Sequence, residues 1–349
     1  CRKGLCMLGR SLFIIAVWLF ASPCIASQLL VSSTSARDTA LAGSTVAEPR
    51  TPSAAMFANP AGLALFDKTT VDGSAAFAFA NPRMDVSSPS TYDETSSVFV
   101  MSPAMGLAVP RKSSWHFGLA MYGSVGNKFD FGADPSEGVP DDFLSEAGIL
   151  TFGAGVAYRF SDQLSVGAAI TPLFGLLHNR YTLGGLRFKY RLNGPGIQGM
   201  LGLRWEPRPG FAVGLGVRTP GTVWMDGDTP LAGSSQDVDL ELKMPTQVFV
   251  GLSKHFGERV IVSLAGRWTD SSSFSNSTIE FEVTEAADAP FVPRAKDEWH
   301  VSAGLEYLWN EFLTLRLGVG HSNAIVGDKG VSPLVFDTQD TRVGVGFSL

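Results

Sequence analysis

The stretch WHVSAGLEYLW, residues 299–309, decides the fold because apolar side chains alternate along it with small or polar ones. Successive side chains of a β-strand point to opposite faces of the sheet, so this period of two predicts a strand. The apolar face carries an aromatic ring near each end, at Trp299 and Trp309, while Glu306 lies on the other face. An apolar face bounded by aromatic rings is typical of a strand that contacts lipid.

The same alternation recurs in segments of about ten residues, the usual length of a transmembrane β-strand, from Thr70 to Leu349. Clear examples are Leu150–Phe160, Phe211–Thr219 and Val260–Trp268, whose second faces are mostly Gly, Ser, Thr, Ala and Arg. Such faces are poor material for a packed core, and they favour a lumen that faces water or a ligand. A soluble β-sandwich, which also alternates, is the alternative.

The chain is therefore predicted to be all-β, a transmembrane antiparallel β-barrel. Short turns alternate with longer polar connections, as between the two ends of such a barrel. Bacterial single-chain barrels usually have an even number of strands, so we expect about 14, one more than the pattern reveals. The thirteen recognisable strand cores are 70–82, 95–109, 115–125, 147–160, 164–178, 187–205, 211–224, 236–255, 259–270, 277–285, 296–309, 312–323 and 338–349.

The first residues have the layout of a secretory signal. Three basic residues precede the apolar run Leu12–Ala21, and small residues follow, up to a predicted cut after Ala26. The run is shorter than the roughly 20 apolar residues that span a bilayer, although an N-terminal anchor is the alternative. We therefore predict a signal peptide over residues 1–26 and export to the outer membrane of a Gram-negative cell.

Composition narrows the function classes. The chain has 349 residues, of which 45% are hydrophobic and 17% are charged, and its three cysteines are Cys1, Cys6 and Cys24. Without the predicted signal peptide, 24 basic residues face 33 acidic ones, which argues against nucleic acid as a partner. No cysteine follows residue 24, and the five histidines lack the spacing of a metal site. No catalytic motif is evident, so we expect neither an enzyme nor a cofactor.

Residues 27–68 do not alternate and are rich in small side chains, which predicts a compact plug before a barrel over residues 69–349. The plug contains the motif Asn59-Pro60-Ala61-Gly62. An asparagine side chain can bond to nearby backbone and turn the chain, and proline fixes φ. The small residues that follow would let the bend press against a barrel wall. An ordinary loop breaker is the alternative interpretation.

Two stretches, Ser35–Phe66 and Lys296–Leu349, resemble the FadL/TodX-type family of outer-membrane transporters. The resemblance implies that the plug is a hatch inside the barrel and that the chain passively transports long-chain fatty acids or aromatic hydrocarbons. A general porin or a structural barrel is the alternative function. The expected partners are hydrophobic small molecules, outer-membrane lipid, lipopolysaccharide and the barrel-assembly machinery, with the protein a monomer.

The resemblance also implies a route, in which a molecule captured at the outer loops enters a pocket above the hatch and leaves sideways into the membrane. The exit would lie beside a kinked third strand, where Gly123 and Gly126 occur. Two glycines near a strand end permit a bend or bulge, although they are also common without one. Arginines on inward faces could pair with a carboxylate headgroup or could belong to a lumen network with acids or with the hatch. These arginines are Arg159, Arg218, Arg267 and Arg316.

Overall fold

The computed structural model describes residues 31, 33–80, 83–87, 91–95, 98–111, 114–131, 143–183, 186–231, 234–281, 289–292, 294–326 and 340–349. The predicted signal peptide, residues 1–26, lies outside this part, as does the beginning of the predicted plug. In the part of the chain described, two α-helices, α1 (Ala36–Ala40) and α2 (Pro52–Ala58), and a 3-10 helix at Pro60–Leu65 precede the first strand. Among the described residues, no helix is long and apolar enough to cross a membrane.

The segment from residue 33 to residue 68, called the hatch below, owes its two helices to caps and burial. Ser35 Oγ accepts a hydrogen bond from Asp38 N at the start of α1, and Thr51 Oγ1 accepts one from Ala54 N at the start of α2. Helices this short are unstable alone in water. Every residue of α2 is buried, so packing against the surrounding strands stabilises it.

Among the described residues, eighteen strands follow the hatch. They are β1 (Thr70–Ala80), β2 (Arg83–Ser87), β3 (Thr91–Thr95), β4 (Val98–Pro110), β5 (Trp115–Phe131), β6 (Phe143–Arg159), β7 (Leu164–Leu183), β8 (Leu186–Arg208), β9 (Phe211–Arg218), β10 (Gly221–Leu231), β11 (Ser234–Met244), β12 (Gln247–Phe256), β13 (Val260–Thr269), β14 (Thr278–Phe281), β15 (Ala289–Pro290), β16 (Glu298–Asn310), β17 (Leu313–Ser322) and β18 (Asp340–Ser348).

One antiparallel sheet forms the wall, in the order β1-β4-β5-β6-β7-β8-β9-β12-β13-β16-β17-β18. Helix α1 of the hatch contacts β17 and β18 at one end of this order and β1 at the other. The sheet is therefore rolled around the hatch, with its two end strands against the same helix. The predicted fold class, an antiparallel transmembrane barrel with a small N-terminal hatch, is confirmed.

Three neighbouring strands of the wall, β9, β12 and β13, are interrupted at the same height of the sheet. Pro220 separates β9 from β10, Pro245 separates β11 from β12, and a 3-10 helix at Ser271–Asn276 separates β13 from β14. Proline has no N–H for the ladder, which explains the first two breaks. The strands on the far side of these breaks from the hatch, called the upper wall below, pair in the order β10-β11-β14-β15. Strand β10 also pairs with β8.

The number of wall strands differs from the prediction. The sequence suggested that 277–285 is a separate strand, but β14 continues the direction of β13 and pairs with β11. The 3-10 helix interrupts the chain without reversing it. In the described part of the chain, the main path of the sheet consequently has twelve strands rather than about 14.

The outer face of the wall has the pattern of a membrane band. Along β16, Trp299 is 63% exposed and Trp309 is 58% exposed, whereas the inward Glu306 is buried. At about 3.3 Å per residue and a tilt near 40°, the distance between the two rings corresponds to a band of about 25 Å. This is the height expected for a lipid-facing band between two aromatic girdles.

The inner face of the lower wall is packed against the hatch. A Cβ atom at Gly202 would lie 2.8 Å from Pro60 Cδ, and one at Gly214 would lie 2.6 Å from Ala47 Cα. Glycines at these positions let hatch backbone approach the strands. The small inward residues were expected to face water or a ligand; at these positions they instead provide room for the plug.

Candidate functional site

The hatch motif is buried and joins two parts of the hatch to the wall. Asn59 Nδ2 donates to Val46 O at 3.1 Å and to Leu203 O of β8 at 3.0 Å, while its Oδ1 accepts from Ala61 N at 3.2 Å. One amide side chain therefore connects the hatch turn, a second hatch segment and a wall strand. Pro60 begins the 3-10 helix, where its fixed φ suits the first helical position.

The two residues after Pro60 approach their neighbours closely. Ser165 Oγ of β7 donates to Ala61 O at 3.1 Å. A Cβ atom at Gly62 would collide with the ring of Pro49. Each of the four residues of the motif therefore makes a specific contact or occupies a position that suits its backbone. An ordinary loop breaker would not need such contacts.

Each predicted lumen arginine is bonded to the hatch, to an acid or to the main chain just before the hatch. Arg159 donates to Ala64 O and, at 2.9 Å, to Asp67. Arg218 donates to Phe57 O at 2.6 Å, and Arg267 donates to Val31 O at 3.1 Å and to Glu298 at 2.9 Å. The geometry corresponds to the lumen-network interpretation rather than to a carboxylate site.

Arg316 reaches the hatch through an acid. Its Nε donates to Glu306 Oε2 at 2.8 Å, and the guanidinium of Arg37, on α1, pairs with the same carboxylate. Arg316 therefore lies at one end of the wall sheet, on β17, apart from Arg218 and Arg267. These two adjoin the same pair of rings: Arg218 stacks on Phe57 and Phe249, and Arg267 lines a cavity with them.

That cavity is small and lies between the hatch and the wall strands β12, β13 and β16. Val46, Phe57 and Phe249 form its apolar side, and Asp38, Arg267 and His300 form its polar side. Burial raises the pKa of Asp38, while hydrogen bonds from Thr45 and Thr34 and the charge of Arg37 act in the opposite direction.

A second hatch carboxylate, Glu48, is anchored to β12. Its Oε2 accepts from Ser253 Oγ at 2.8 Å and lies 2.8 Å from His255 Nε2, while Arg50 pairs with its other oxygen. Burial opposes its charge, but the charge of Arg50 and the hydrogen bonds from His255, Arg50 and Ser253 lower its pKa to about 2. Glu48 therefore holds the hatch to the wall as a carboxylate.

The third wall strand, β5, is irregular where a kink was predicted. Its pairing with β6 shifts between Gly123 and Val125, which leaves Ser124 as an extra residue. Gly123 thus lies at this bulge, whereas Gly126 is beyond it, with no atom within 4 Å of a Cβ placed there. A bulge bends its strand and changes which side chains face inward.

Next to this bulge, the wall has a slit between β4 and β5. Their pairing runs from Pro110 and His116 to Ala104 and Tyr122, and among the described residues it ends there. Above that point β4 continues to Val98, paired with β1, and β5 continues to Phe131, paired with β6. Beyond that point the two strands no longer pair with each other, although Ser102 of β4 still lies beside Gly123 of β5, and each strand keeps its other neighbour.

The start of the described chain lies at the slit. Val31 N donates to Ser124 O at 3.1 Å, so it satisfies a carbonyl that the bulge removes from the ladder. Val31 O accepts from Arg267 on β13. Thr151 Oγ1 of β6 donates to Ser124 Oγ at 2.8 Å. One residue therefore connects the bulge to an arginine on another strand.

A large apolar cluster adjoins the slit. Val125, directly after the bulge, and Ile149, its partner on β6, both belong to it. Strands β6, β7, β8, β10, β11 and β14 supply most of the rest. Its larger members are Leu173, Leu177, Phe188, Tyr190, Leu192, Val223, Met225, Leu240, Phe274, Ile279, Phe281 and Phe291.

Sequence reasoning missed three parts of this site. The contact of Arg218 with Tyr122, the Arg37–Glu306 pair and the Glu48–His255 pair all join residues far apart in the chain. The sequence showed charged residues among small ones on the inward faces of the strands. It did not show which residues they would bond to. Within the described residues, no group of three or more His, Asp, Glu or Cys side chains could hold a metal ion.

Comparison with known proteins agrees with this geometry. Residues 17–178 match the profile of a family described as outer membrane protein transport protein (OMPP1/FadL/TodX). A sequence comparison with curated proteins gives no match. Among solved structures, a Pseudomonas aeruginosa FadL homologue aligns with a TM-score of 0.73 at 16% identity, covering 91% of this chain and 86% of that one.

Two further structures have the same fold. The Pseudomonas putida toluene transporter TodX gives a TM-score of 0.68 at 17% identity, over 92% of this chain and 90% of its own. The Ralstonia pickettii toluene transporter TbuX gives 0.66 at 19% identity, over 91% and 98%. The family profile and the shared fold confirm the resemblance predicted from the sequence: this chain is similar to the FadL/TodX outer-membrane transport proteins.

Proposed function

We propose that the protein is a passive outer-membrane transporter that releases hydrophobic compounds sideways into the membrane, through the slit between β4 and β5. The observation that carries the proposal is the end of the β4–β5 ladder at Ala104 and Tyr122, beside the bulge at Ser124. The apolar cluster begins at the same place, with Val125 and Ile149. Buried apolar side chains are thus packed next to the point where the β4–β5 ladder ends.

The hatch supports a lateral route. It is packed against the lower wall through glycine contacts, arginine bonds and the Glu48 anchor, so a straight path along the barrel axis is obstructed. An apolar molecule gains no free energy by entering water, whereas transfer into lipid keeps it in an apolar environment. Lateral release therefore avoids the least favourable step of a straight route.

The substrate class follows from the apolar cluster and from the relatives. The similar structures include two toluene transporters and a monoaromatic hydrocarbon channel. For this chain we propose aromatic hydrocarbons or long-chain fatty acids, carried by a monomer surrounded by outer-membrane lipid and lipopolysaccharide and inserted by the barrel-assembly machinery. Because the four predicted arginines are engaged with the hatch or with acids, we assign none of them to a substrate carboxylate.

A disulfide across the slit tests the proposal. A Cβ at Gly123 would lie 3.8 Å from Ser102 Cβ, which falls within the usual separation in disulfides. We expect Ser102→Cys with Gly123→Cys, once oxidised, to reduce uptake of a radiolabelled hydrophobic compound to the level of cells that lack the protein. Reduction should restore uptake, because the slit can then open again.

The control is a disulfide elsewhere in the wall. Ala303 and Val319 are directly paired on β16 and β17. Replacing both by cysteine should leave uptake at the wild-type level in either redox state. If the oxidised Ser102–Gly123 pair forms fully and uptake persists, lateral release at this slit is wrong.

A further inference from the structure

We infer that Arg218 is a positioning residue that ties the seated hatch to the lower end of the slit, by holding Tyr122 against α2. The inference rests on the proposed lateral release. It concerns how the two parts of the site are joined, because Tyr122 is the last paired residue of β5 along β4.

Arg218 is bonded to three different parts of the lower lumen. Its Nη2 donates to Phe57 O at the end of α2 at 2.6 Å and to Tyr122 Oη at 3.4 Å. Its Nη1 donates to Gln247 Oε1 on β12 at 2.9 Å. One guanidinium therefore bridges the hatch, the strand beside the slit and a strand farther along the wall.

Aromatic rings enclose the same guanidinium. Arg218 Cζ lies 5.0 Å from the centroid of Phe57 and 5.7 Å from that of Phe249. Arginine stacks favourably on ring faces at such distances, more strongly where water is excluded. The ring of Phe57 belongs to the hatch, so the hatch supplies both a carbonyl and a ring to this site.

Tyr122 is held by the hatch as well. Its side chain is fully buried, its ring meets that of Phe57 edge to face at 5.4 Å, and its hydroxyl lies 3.5 Å from Met56 O. The following residue, Gly123, begins the bulge. The lower end of the slit is therefore defined by a tyrosine whose neighbours are largely hatch atoms and Arg218.

The charge of Arg218 makes this arrangement depend on the hatch. Arg218 is only 5% exposed, and within the described residues its hydrogen-bond partners are an amide, a main-chain carbonyl and a phenol, none of them a carboxylate. Carbonyl oxygens and ring faces compensate its charge, and its Nε has no hydrogen-bond partner there. If α2 moved away, Arg218 would lose Phe57 O and one ring at once, and its hold on Tyr122 would weaken with them.

Arg204 offers a matched comparison. It also donates to a hatch carbonyl, Ala47 O at 3.0 Å, and it is 7% exposed. However, it has a carboxylate partner, Glu206 at 2.8 Å, and it lies near the end of β8, where the bonds described for its side chain go to Ala47 and Glu206 and not to Tyr122. Loss of Arg204 should loosen the hatch locally without reaching the slit.

The experiment measures how fast the disulfide between positions 102 and 123 forms across the slit. In purified protein carrying Ser102→Cys and Gly123→Cys, we expect Arg218→Met to slow disulfide formation about fivefold, the factor that corresponds to loss of one hydrogen bond. Tyr122→Phe keeps the ring and removes only the hydroxyl, so it should slow the reaction by a smaller factor. Arg204→Met should leave the rate unchanged.

The outcomes separate this inference from the proposed function. Unchanged rates in both Arg218→Met and Tyr122→Phe would overturn the coupling, even if the wild-type protein transports hydrophobic compounds. A slowed rate would support it even if transport fails, because the experiment measures disulfide formation across the slit and does not measure transport. Should Arg218→Met not assemble, the milder Tyr122→Phe decides, since the buried ring stays in place.

Discussion

At the scale of single residues, the lumen is organised by buried polar groups that reach main-chain carbonyls of the hatch, of the residue Val31 before it and of the wall. Asn59 bonds to two carbonyls, and Arg204, Arg218 and Arg267 each bond to one. Removing a donor would leave a buried carbonyl unsatisfied, which costs about 1–3 kcal/mol. The residue types could be recognised in the sequence, but the carbonyls they bond to could not.

Glu48 gives a prediction of pH dependence at this scale. Its pKa falls from 4.5 to about 2 in the folded protein, so the folded state favours the carboxylate. The stabilisation is therefore complete above pH 4.5 and is lost as the pH falls towards 2. Glu48→Gln should lower the unfolding midpoint in detergent at pH 7, and the difference from wild type should shrink below pH 4.5. A difference that grows as the medium becomes more acidic would contradict this assignment.

At the scale of elements, glycines decide how closely the hatch and the wall approach. A Cβ at Gly202 would lie 2.8 Å from Pro60 Cδ and 2.9 Å from Ala61 N, and it would collide with Asn59 Oδ1. The alternation of the wall strands predicted which face these glycines occupy. It could not show that hatch backbone rather than solvent lies against them, because glycine is compatible with both.

This close approach predicts a steric effect. Gly202→Ala should displace the hatch motif and destabilise the protein by about 1–3 kcal/mol, the usual cost of overpacking. Gly148→Ala is the control, because a Cβ there meets no atom within 4 Å. Thermal unfolding in detergent, together with proteolysis of the hatch, measures both effects. Equal behaviour of the two variants would show that the hatch does not press on β8.

At the scale of the whole molecule, the hatch and the slit together distinguish a transporter from a general porin. A porin conducts small hydrophilic solutes along its axis, whereas here the hatch packs against wall strands on several sides. The proposed lateral route would run instead from the apolar cluster, which begins at Val125 beside the bulge, to the end of the β4–β5 ladder.

Deletion of the hatch tests this distinction. Removing residues 33–68 should strongly increase the conductance of the protein to small ions in planar bilayers, because the obstruction inside the barrel is lost. The intact protein should conduct weakly. If its conductance is already high and deletion changes it little, the protein behaves as an open porin and the transporter proposal is wrong.

The sequence by itself determined the barrel, because a period of two with aromatic rings at the strand ends is a local property of each segment. It also predicted a hatch motif at Asn59–Gly62 and a kink at Gly123 and Gly126. The tertiary structure decided the rest: where the β4–β5 ladder ends, that 277–285 extends an existing strand, and that Arg218 joins Phe57 to Tyr122. These features depend on register and on contacts between residues distant in the chain, which no local pattern specifies.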